Sequence, residues 1–352
     1  MSRKVALLLS GGIDSTTAGY LLKKEGYDVH AFFLRIKPAG EVFSLWREAE
    51  GKARISAADL NIPFGVLDLR KEFEREVVGN FLSEIKKGKT PNPCSICNPT
   101  IKFGAFWSKV RLLGFDFMAT GHYAGLKETS QGLFLRKGRD SRKDQSYFLY
   151  GISKKLLPFL KFPLADLTKI QVREMAIKKI NSRFSAMSES QGVCFLGGMK
   201  YADFIKKNIK IREGEVLNEK GKIIGSHPGV WFFTEGQKTG IRDIRYHNQS
   251  VYVTGRDITS NTLTVSVNPR KNALLKKKIV LKELKLSCSF GKTEMSVAAK
   301  TRYGAKESEG KLIVKSGKSA IFLPAQPIPT PAAGQSVVFY DGDIVLGGGV
   351  VK

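Results

Sequence analysis

The segment Val5-Ala6-Leu7-Leu8-Leu9-Ser10-Gly11-Gly12-Ile13-Asp14-Ser15 sets the architecture of the N-terminal half of this chain. Its five leading apolar residues do not alternate with polar ones, which predicts a strand buried on both faces of a parallel sheet. The glycine turn that follows leads into a helical run over 16–24. A helix N-terminus after a glycine turn binds anions, because backbone N–H groups point outward and no Cβ blocks a phosphate. The segment therefore predicts a pyrophosphate site.

Strands and helices continue to alternate up to residue 120. Apolar runs predict strands at 28–34, 64–69 and 115–120, and helical periodicity predicts helices at 48–60, 72–87 and 101–113. This alternation predicts an α/β fold: a doubly wound, Rossmann-like parallel sheet with helices on both faces. Such sheets bind ligands at the carboxyl ends of their strands, so the loops at 10–15, after Leu34 and at 121–123 are expected to converge on one site.

The character of the chain changes towards its C-terminal half. Residues 146–180 are predicted to be helical, with breaks at Pro158 and Pro163. Beyond Gly197, short β-type runs with tight turns predict two smaller β-rich domains, and the strand spacing of the last one suits a β-barrel. A basic, linker-like stretch at 268–278 falls near their boundary. The predicted domains are 1–196, 197–272 and 273–352.

Composition indicates a partner and a compartment. The 352 residues include 58 Lys and Arg against 32 Asp and Glu, which gives a net charge of +26 spread along the chain. Such an excess favours a basic surface that faces a polyanion. No apolar run approaches the roughly 18 residues of a membrane span. Four cysteines are too few for a disulfide framework of this size, so a reducing, cytoplasmic location without membrane attachment is predicted.

Two of the cysteines lie three positions apart in Thr90-Pro91-Asn92-Pro93-Cys94-Ser95-Ile96-Cys97, which is predicted to be a loop stiffened by prolines. That spacing lets both sulfurs reach one metal or form a disulfide. Cys194 lies in a second, glycine-containing loop at 188–198. Cys288 lies in a strand-like run and is predicted to be a buried core residue.

These motifs together resemble a known family. The turn at 10–15 is similar to the Ser-Gly-Gly-x-Asp-Ser signature of the PP-loop ATP pyrophosphatases, which cleave ATP between the α and β phosphates. From the first strand to the last residues, the chain resembles the tRNA-specific 2-thiouridylases of the MnmA type. The further matching segments are Asn92-Pro93, Cys97-Asn98, Ile101-Lys102-Phe103-Gly104, Ala119 to Tyr123, Lys143 to Leu149, Gly192 to Phe195, Gly225, His227, Gly229, Gly236-Gln237, Arg302-Tyr303, Gln335, and Tyr340 through Gly349.

The resemblance implies an enzyme that adenylates the C2 oxygen of the wobble uridine of tRNA and then inserts sulfur, with release of AMP and pyrophosphate. A uridine carbonyl oxygen is a poor leaving group, whereas a phosphoester leaves as AMP once its phosphoryl charge is stabilised. The implied cofactors are ATP and Mg²⁺. The implied partners are tRNAs, for which the family favours those for Lys, Glu and Gln, and a sulfur donor. The donor is left open between a cysteine desulfurase, a relay protein and free sulfide.

The resemblance also implies roles for individual residues. Asp14 is expected to orient Mg²⁺ or pyrophosphate, and Asn92 with Pro93 to border the target base, which must leave its stack. From the residues alone, His122 could equally cap the loop after the fourth strand, and Lys143 to Gln145 could form an ordinary polar turn. The implied ATP-binding residues are Leu8, Leu9, Ser10, Gly11, Gly12, Ile13, Asp14 and Ser15, with Leu34 and Gly121. The implied tRNA contacts are His122, Lys143, Asp144, Gln145, Arg302, Tyr303 and Gln335.

The sulfur chemistry is where this chain departs from the family. The best-known members have Asp at the position of Cys94, while Cys97 matches the catalytic cysteine and Cys194 the persulfide carrier. A Cys-x-x-Cys with a distant third cysteine resembles other sulfur-inserting enzymes, in which three thiolates hold a 4Fe–4S cluster and the fourth iron binds sulfide. We therefore favour a cluster on Cys94, Cys97 and Cys194. The alternatives are a Cys194 persulfide resolved by Cys97 without a cluster, and structural zinc.

Two other functions are compatible with parts of the sequence. A PP-loop amidoligase adenylates a carbonyl and attaches an amine, but it would not need three cysteines in two loops. A non-catalytic RNA-binding protein would explain the positive charge, but neither the glycine signature nor the paired cysteines. Replacing Cys194 with Ser should abolish thiolation but leave an amidoligase active, which distinguishes the first alternative from a thiouridylase. Release of AMP and pyrophosphate that depends on tRNA would exclude the non-catalytic alternative.

Overall fold

The computed structural model describes residues 2–36, 43–187, 196, 199–239, 251–267, 275–287, 293–315 and 318–352. Contacts within the chain define two compact units. The first comprises Met1–Val78, Pro93–Gly197 and Tyr340–Gly347, and the second comprises Gly79–Asn92, Gly198–Phe339 and Gly348–Lys352. The domain boundaries expected at 196 and 272 stay predictions.

A parallel sheet forms the centre of the first unit. Its middle strand is the predicted one, and Val5, Ala6 and Leu7 are fully buried there. The order β3–β2–β1–β4–β7, with every neighbouring pair parallel, confirms the predicted α/β sheet. The strands of this part of the chain are β1 (Lys4–Leu8), β2 (Asp28–Arg35), β3 (Phe64–Asp68), β4 (Phe117–Ala119), β5 (Ala124–Thr129), β6 (Gly132–Lys137) and β7 (Leu160–Lys161).

Besides the start of the helix expected over 101–113, where Asn98–Ala105 is π-helical, the helices differ from the predicted ones in three places. The helix expected over 72–87 is interrupted by a π-helical segment, Glu74–Gly79, which turns Val77 and Val78 into the core. The proline loop expected around the cysteines is wrong, because a helix begins at Pro93, where proline's missing N–H costs no hydrogen bond. The helices are α1 (Ile13–Lys24), α2 (Phe43–Asp59), α3 (Arg70–Phe73), α4 (Asn80–Lys86), α5 (Pro93–Cys97), α6 (Phe106–Leu112), α7 (Lys169–Lys179) and α8 (Tyr201–Asn208).

The third difference concerns 146–180, where only α7 is α-helical. Two short 3₁₀ turns, Ser146–Phe148 and Lys154–Phe159, precede β7. Pro158 lies inside the second turn, consistent with the loss of a regular helix there. The hairpin of β5 and β6 was not anticipated either. Within the described residues, no helix has both the length and the apolar character that a membrane crossing requires.

The second unit is rich in β structure. One mixed sheet has the order β10–β11–β12–β8–β9, and its core contains Val216, Val251 and Val265. The last strands of the chain, which include Tyr340–Gly347 of the first unit, follow the order β14–β17–β16–β15–β19–β20, and pairing of β14 with β20 closes them into the expected barrel. The strands are β8 (Gly214–Leu217), β9 (Ile223–His227), β10 (Lys238–Thr239), β11 (Val251–Asp257), β12 (Thr262–Ser266), β13 (Leu275–Lys276), β14 (Ile279–Leu286), β15 (Glu294–Lys300), β16 (Ser308–Val314), β17 (Ala320–Pro324), β18 (Ile328–Pro329), β19 (Ser336–Asp341) and β20 (Ile344–Val351).

Candidate active site

The two glycines between β1 and α1 have different tasks. Gly11 has a φ of +79°, and a Cβ there would lie 2.5 Å from the backbone carbon of Lys52 and 2.6 Å from the nitrogen of Ala53. Gly11 therefore lets the turn pack directly against α2. A Cβ on Gly12 would meet only the Ser10 hydroxyl, at 3.5 Å, so the side of the turn at Gly12 is open. Helix α1 begins directly after Gly12, and the first N–H groups of a helix have no intrahelical partner, which suits them to an anion.

Hydroxyl groups hold the shape of this turn. The backbone N–H of Ser10 donates to the Ser15 hydroxyl oxygen at 3.2 Å. The Ser15 hydroxyl donates to the Gly12 carbonyl at 3.2 Å, and the Thr16 hydroxyl donates to the same carbonyl at 2.8 Å. The predicted serines of the signature therefore preorganise the glycine turn.

The loop after β4 meets the turn, as predicted. A Cβ on Gly121 would lie 2.6 Å from the backbone nitrogen of Ser15, so only glycine fits this approach. Leu34 lies in β2, next to the central strand, at the end of the sheet where these loops leave. Two of the three expected loops therefore converge, while most of the loop after Leu34, residues 37–42, lies outside the described part of the chain.

Asp14 is held by two donors that sequence reasoning did not assign. The Tyr123 hydroxyl donates to its Oδ1 at 2.8 Å, and the Lys169 ammonium donates to the same oxygen at 2.5 Å. Lys169 is the first residue of α7, and its side chain is 14% exposed. A local signal could have marked this helix start, because Thr168 and Gln171 form a capping box. The pairing with Asp14, 155 positions away, has no such signal.

The segment predicted to contact tRNA around Lys143 is tied to the loop after β4. The Gln145 side-chain oxygen accepts from the Tyr123 N–H at 3.0 Å, and the Gln145 N–H donates to the Tyr123 carbonyl at 2.8 Å. Asp144 is 5% exposed and accepts from the N–H groups of Gly138 and Ser146. Lys143 donates its N–H to the Asp140 carbonyl. Residues 143–145 therefore form a polar turn held by local hydrogen bonds, and their contact with tRNA stays a prediction.

His122 is half-buried beside Phe103, at a ring distance of 5.8 Å, and its Nδ1 lies 2.8 Å from the Thr120 hydroxyl. Burial, and next the positive charge of Lys102, hold the pKa of His122 well below its ordinary value. The imidazole is therefore neutral at physiological pH. A neutral ring suits hydrogen bonding and stacking rather than an ion pair with a phosphate.

The paired cysteines lie on helix α5. Cys97 is 4% exposed, Cys94 is partly exposed, and both are thiols rather than a disulfide. The next residue, Asn98, is buried and donates from its side-chain amide to the Phe148 carbonyl at 3.1 Å. Phe148 ends the short 3₁₀ turn that begins directly after Gln145. The cysteine helix therefore adjoins this turn, and Gln145 connects the turn to the loop after β4. Cys194 and Cys288 lie outside the described residues.

The described residues do not by themselves form a metal centre. Among them, no group of three His, Cys, Asp or Glu side chains is arranged to hold a metal ion. Cys94 and Cys97 are two of the three cysteines that the cluster hypothesis requires, and the third, Cys194, lies outside the described residues.

The remaining predicted tRNA contacts, apart from Pro93, lie in the second unit. Arg302 and Tyr303 are exposed in the turn between β15 and β16, and Tyr303 is 45% exposed. Gln335 donates from its amide to the Thr90 carbonyl at 2.7 Å. Asn92 and Pro93, expected to border the target base, are partly exposed and buried, respectively.

Family models match the chain in three consecutive parts. They are described as a tRNA methyl transferase HUP domain at residues 3–198, a tRNA methyl transferase PRC-barrel domain at 202–267 and an aminomethyltransferase beta-barrel domain at 276–351.

Relatives match over the full length. The tRNA-specific 2-thiouridylase MnmA of Clostridioides difficile strain 630 is 37% identical over 365 residues, which cover 100% of this chain and 99% of that protein. The protein of the same name from Syntrophomonas wolfei is 40% identical over 353 residues, which cover 99% of both chains. The descriptions of the family models mention methyl transfer, whereas these full-length relatives are named for thiolation.

One solved structure with a weak overall likeness to the chain is a tRNA thiolase. The U34-tRNA thiolase NcsA from Methanococcus maripaludis, solved with its 4Fe–4S cluster, superposes with a TM-score of 0.33 and 20% identity over 59% of this chain and 67% of that chain. At that score, its cluster carries no argument about the cysteines here.

Proposed function

This chain belongs to the family of the tRNA-specific 2-thiouridylases MnmA, and from that premise we propose that it is an ATP-dependent tRNA-uridine 2-sulfurtransferase. One observation carries the proposal. An open glycine turn at a helix N-terminus, with Asp14 and Lys169 beside it, is linked through Tyr123 and Gln145 to the segment that adjoins the cysteine helix.

The first step activates the base. The C2 oxygen of the wobble uridine attacks the α-phosphorus of ATP, the bond from that phosphorus to the bridging oxygen breaks, and pyrophosphate leaves. The N3 proton of the uracil is released to solvent. The departing charge needs positive groups, which the N–H groups at the start of α1 and the Lys169 ammonium supply.

The residues of the turn fit ATP and a magnesium ion. The glycines let phosphates approach the backbone, and the Asp14 carboxylate is the kind of oxygen ligand that Mg²⁺ prefers. The ion would neutralise charge on the phosphates. Lys169 contacts Asp14 directly, so we propose that its ammonium moves between this carboxylate and a phosphate as nucleotide binds. Tyr123 would keep the carboxylate oriented during that exchange.

The second step replaces oxygen by sulfur. A sulfur nucleophile adds to C2, the C2–O bond breaks, and AMP leaves with the former carbonyl oxygen. When the nucleophile is hydrosulfide, its proton ends on N3 and no electrons are exchanged. A 4Fe–4S cluster on Cys94, Cys97 and Cys194 would supply sulfide to this position, and the presence of three cysteines, rather than two, supports it.

The alternative uses the thiols alone. The terminal sulfur of a Cys194 persulfide bonds to C2, and AMP leaves. The Cys97 thiolate then attacks the Cys194 sulfur, the S–S bond breaks, and its electron pair goes to the sulfur on C2. A Cys97–Cys194 disulfide results, which an external dithiol must reduce before the next turnover. Cys94 has no part in this route.

Three variants separate the two routes. The protein is purified without oxygen, assayed for iron and acid-labile sulfide, and then given tRNA, ATP and either sulfide or a desulfurase with cysteine. The cluster route predicts iron in the wild type, its loss in Cys94→Ser, Cys97→Ser and Cys194→Ser, and loss of thiolation in all three. An iron-free, active wild type with an active Cys94→Ser variant supports the persulfide route.

The proposed partners and location follow from the same premise. We propose that the substrates are tRNAs with a wobble uridine, including those for Lys, Glu and Gln, that the sulfur donor is a desulfurase, a relay protein or sulfide, and that the enzyme is cytoplasmic. Mass analysis of tRNA nucleosides from cells that depend on this chain tests the whole proposal. Absence of 2-thiouridine from such cells, combined with tRNA-dependent ATP cleavage by the purified protein, would point to an amidoligase instead.

A further inference from the structure

Gly88, Lys89 and Thr90, defined here as the 88–90 segment, are held by the loop that precedes β19. The Thr90 N–H donates to the Ala333 carbonyl at 2.8 Å, and the Thr90 carbonyl accepts from the Gln335 amide at 2.7 Å. Gly334 has a φ of +87°, and a Cβ there would lie 2.9 Å from the Lys89 Cβ. Both hydrogen-bonding groups of the Thr90 backbone are thus satisfied by one loop of the barrel domain.

The mixed sheet holds the same segment through Arg256 of β11. The Arg256 guanidinium donates to the Gly88 carbonyl at 2.7 Å, to the Thr90 hydroxyl at 3.3 Å and to the Phe233 carbonyl at 2.6 Å. A Cβ on Gly88 would lie 2.4 Å from a carbon of Ile258, so the segment also packs closely there.

Arg256 is suited to hold this segment firmly. The Arg256 side chain is partly buried, its two terminal nitrogens donate to three acceptors, and two of those acceptors belong to the 88–90 segment. Its Nε–H is buried without a partner among the described residues, so these terminal hydrogen bonds are what hold the guanidinium. Burial lowers the pKa of Arg256, in keeping with its partly buried position. Its removal would leave the Gly88 and Phe233 carbonyls without this donor.

The 88–90 segment ends two residues before Asn92 and four residues before Cys94. We propose that Gln335 and Arg256 are positioning residues, which hold the 88–90 segment and thereby restrain local opening of the chain that leads through Asn92 into the cysteine helix. This gives Gln335 a role other than the tRNA contact expected from the sequence. The inference rests on the proposed role of Cys94 and Cys97 in thiolation.

Cysteine alkylation tests the proposal without any turnover. Iodoacetamide is added to the folded protein without tRNA or ATP, and modification of Cys94 and Cys97 is followed by peptide mass spectrometry. Cys97 is 4% exposed, so its modification reports local opening. In Gln335→Leu and Arg256→Met, which remove the donors, we expect the rate at Cys97 to rise about fivefold or more.

The matched control is Arg212→Met. Arg212 is an exposed arginine of the same β-rich unit that also donates to a backbone carbonyl, that of Thr259, but does not contact the 88–90 segment. In Arg212→Met, the rate of Cys97 alkylation should equal that of the wild type. Gln335→Glu serves as a second variant of nearly native shape that cannot donate, and thermal unfolding midpoints show that each variant is folded at the assay temperature.

Unchanged alkylation in folded Gln335→Leu and Gln335→Glu would overturn the proposal, and weaker tRNA binding alone in those variants would return Gln335 to a role in tRNA contact. If Cys97 alkylation rises in the variants but the wild-type protein does not thiolate tRNA, the positioning role stands and the proposed function is rejected. If both hold, thiolation by Gln335→Leu at saturating tRNA should show a lower kcat.

Discussion

At the residue scale, the bond between Lys169 and Asp14 carries a prediction about ATP. Lys169→Ala removes a charge-assisted donor from the nucleotide loop, so kcat/KM for ATP should fall about 10- to 100-fold, while tRNA affinity is nearly unchanged. Pyrophosphate release at saturating tRNA measures this. Lys178→Ala is the matched control, because that lysine lies on the same helix and pairs only with Glu174 among the described ion pairs. An equal loss in both variants would contradict the assignment.

The lowered pKa of His122 predicts how stability depends on pH. Because burial and Lys102 lower the folded-state pKa, the unfolded chain binds a proton more readily below about pH 6.5. The free energy of unfolding should therefore decrease as the pH falls from 7 to 5. His122→Asn should reduce that decrease by about 1 kcal/mol, as measured by urea unfolding at both pH values. An unchanged decrease would show that this histidine does not titrate on unfolding. His227, whose pKa is also lowered by burial, should account for part of the decrease that persists.

At the scale of elements, the sequence predicted those helices and strands whose formation depends on local patterns of residues. An unbroken apolar run and a glycine turn specify β1 and the start of α1 without reference to distant residues. Helix α5 and the π-helical segment at Glu74–Gly79 depend on burial instead, because Pro93 and Cys97 of the former and Val77 and Val78 of the latter are buried. Lys169 was missed for the same reason, since only the folded sheet brings α7 to Asp14.

The turn between β1 and α1 offers a paired test of its two glycines. Gly11→Ala introduces a Cβ against the backbone of α2 at a positive φ, so it should destabilise the protein by about 2 kcal/mol or more. Gly12→Ala has steric room and an ordinary φ of −82°, so stability should be nearly unchanged. It should nevertheless weaken ATP binding, because the new methyl group stands on the open side of the turn. Urea unfolding and calorimetric titration with ATP measure the two effects. Equal stability losses would contradict the division of tasks.

At the scale of the whole molecule, order along the chain is a poor guide to which segments meet. The contact between Gln335 and Thr90 spans 245 positions and joins the barrel domain to residues that fall within the first family model. Composition could indicate a polyanionic partner, and motifs could indicate thiolation chemistry. Neither could indicate that Gln335, which was expected to contact tRNA, instead donates a hydrogen bond to the backbone of Thr90, because that contact depends on tertiary packing.

The net charge of +26 predicts that tRNA binding depends steeply on salt. Each phosphate neutralised by Lys or Arg releases counterions, so about six contacts would raise the Kd for tRNA 100-fold or more between 50 and 200 mM KCl. An isolated anticodon stem-loop is the matched ligand, because it presents the same target base with fewer phosphates. Its salt dependence should be shallower if basic residues beyond the catalytic centre engage the rest of the tRNA. Parallel slopes for the two RNAs would confine binding to the anticodon arm, and the charge elsewhere on the chain would then serve no role in substrate recognition.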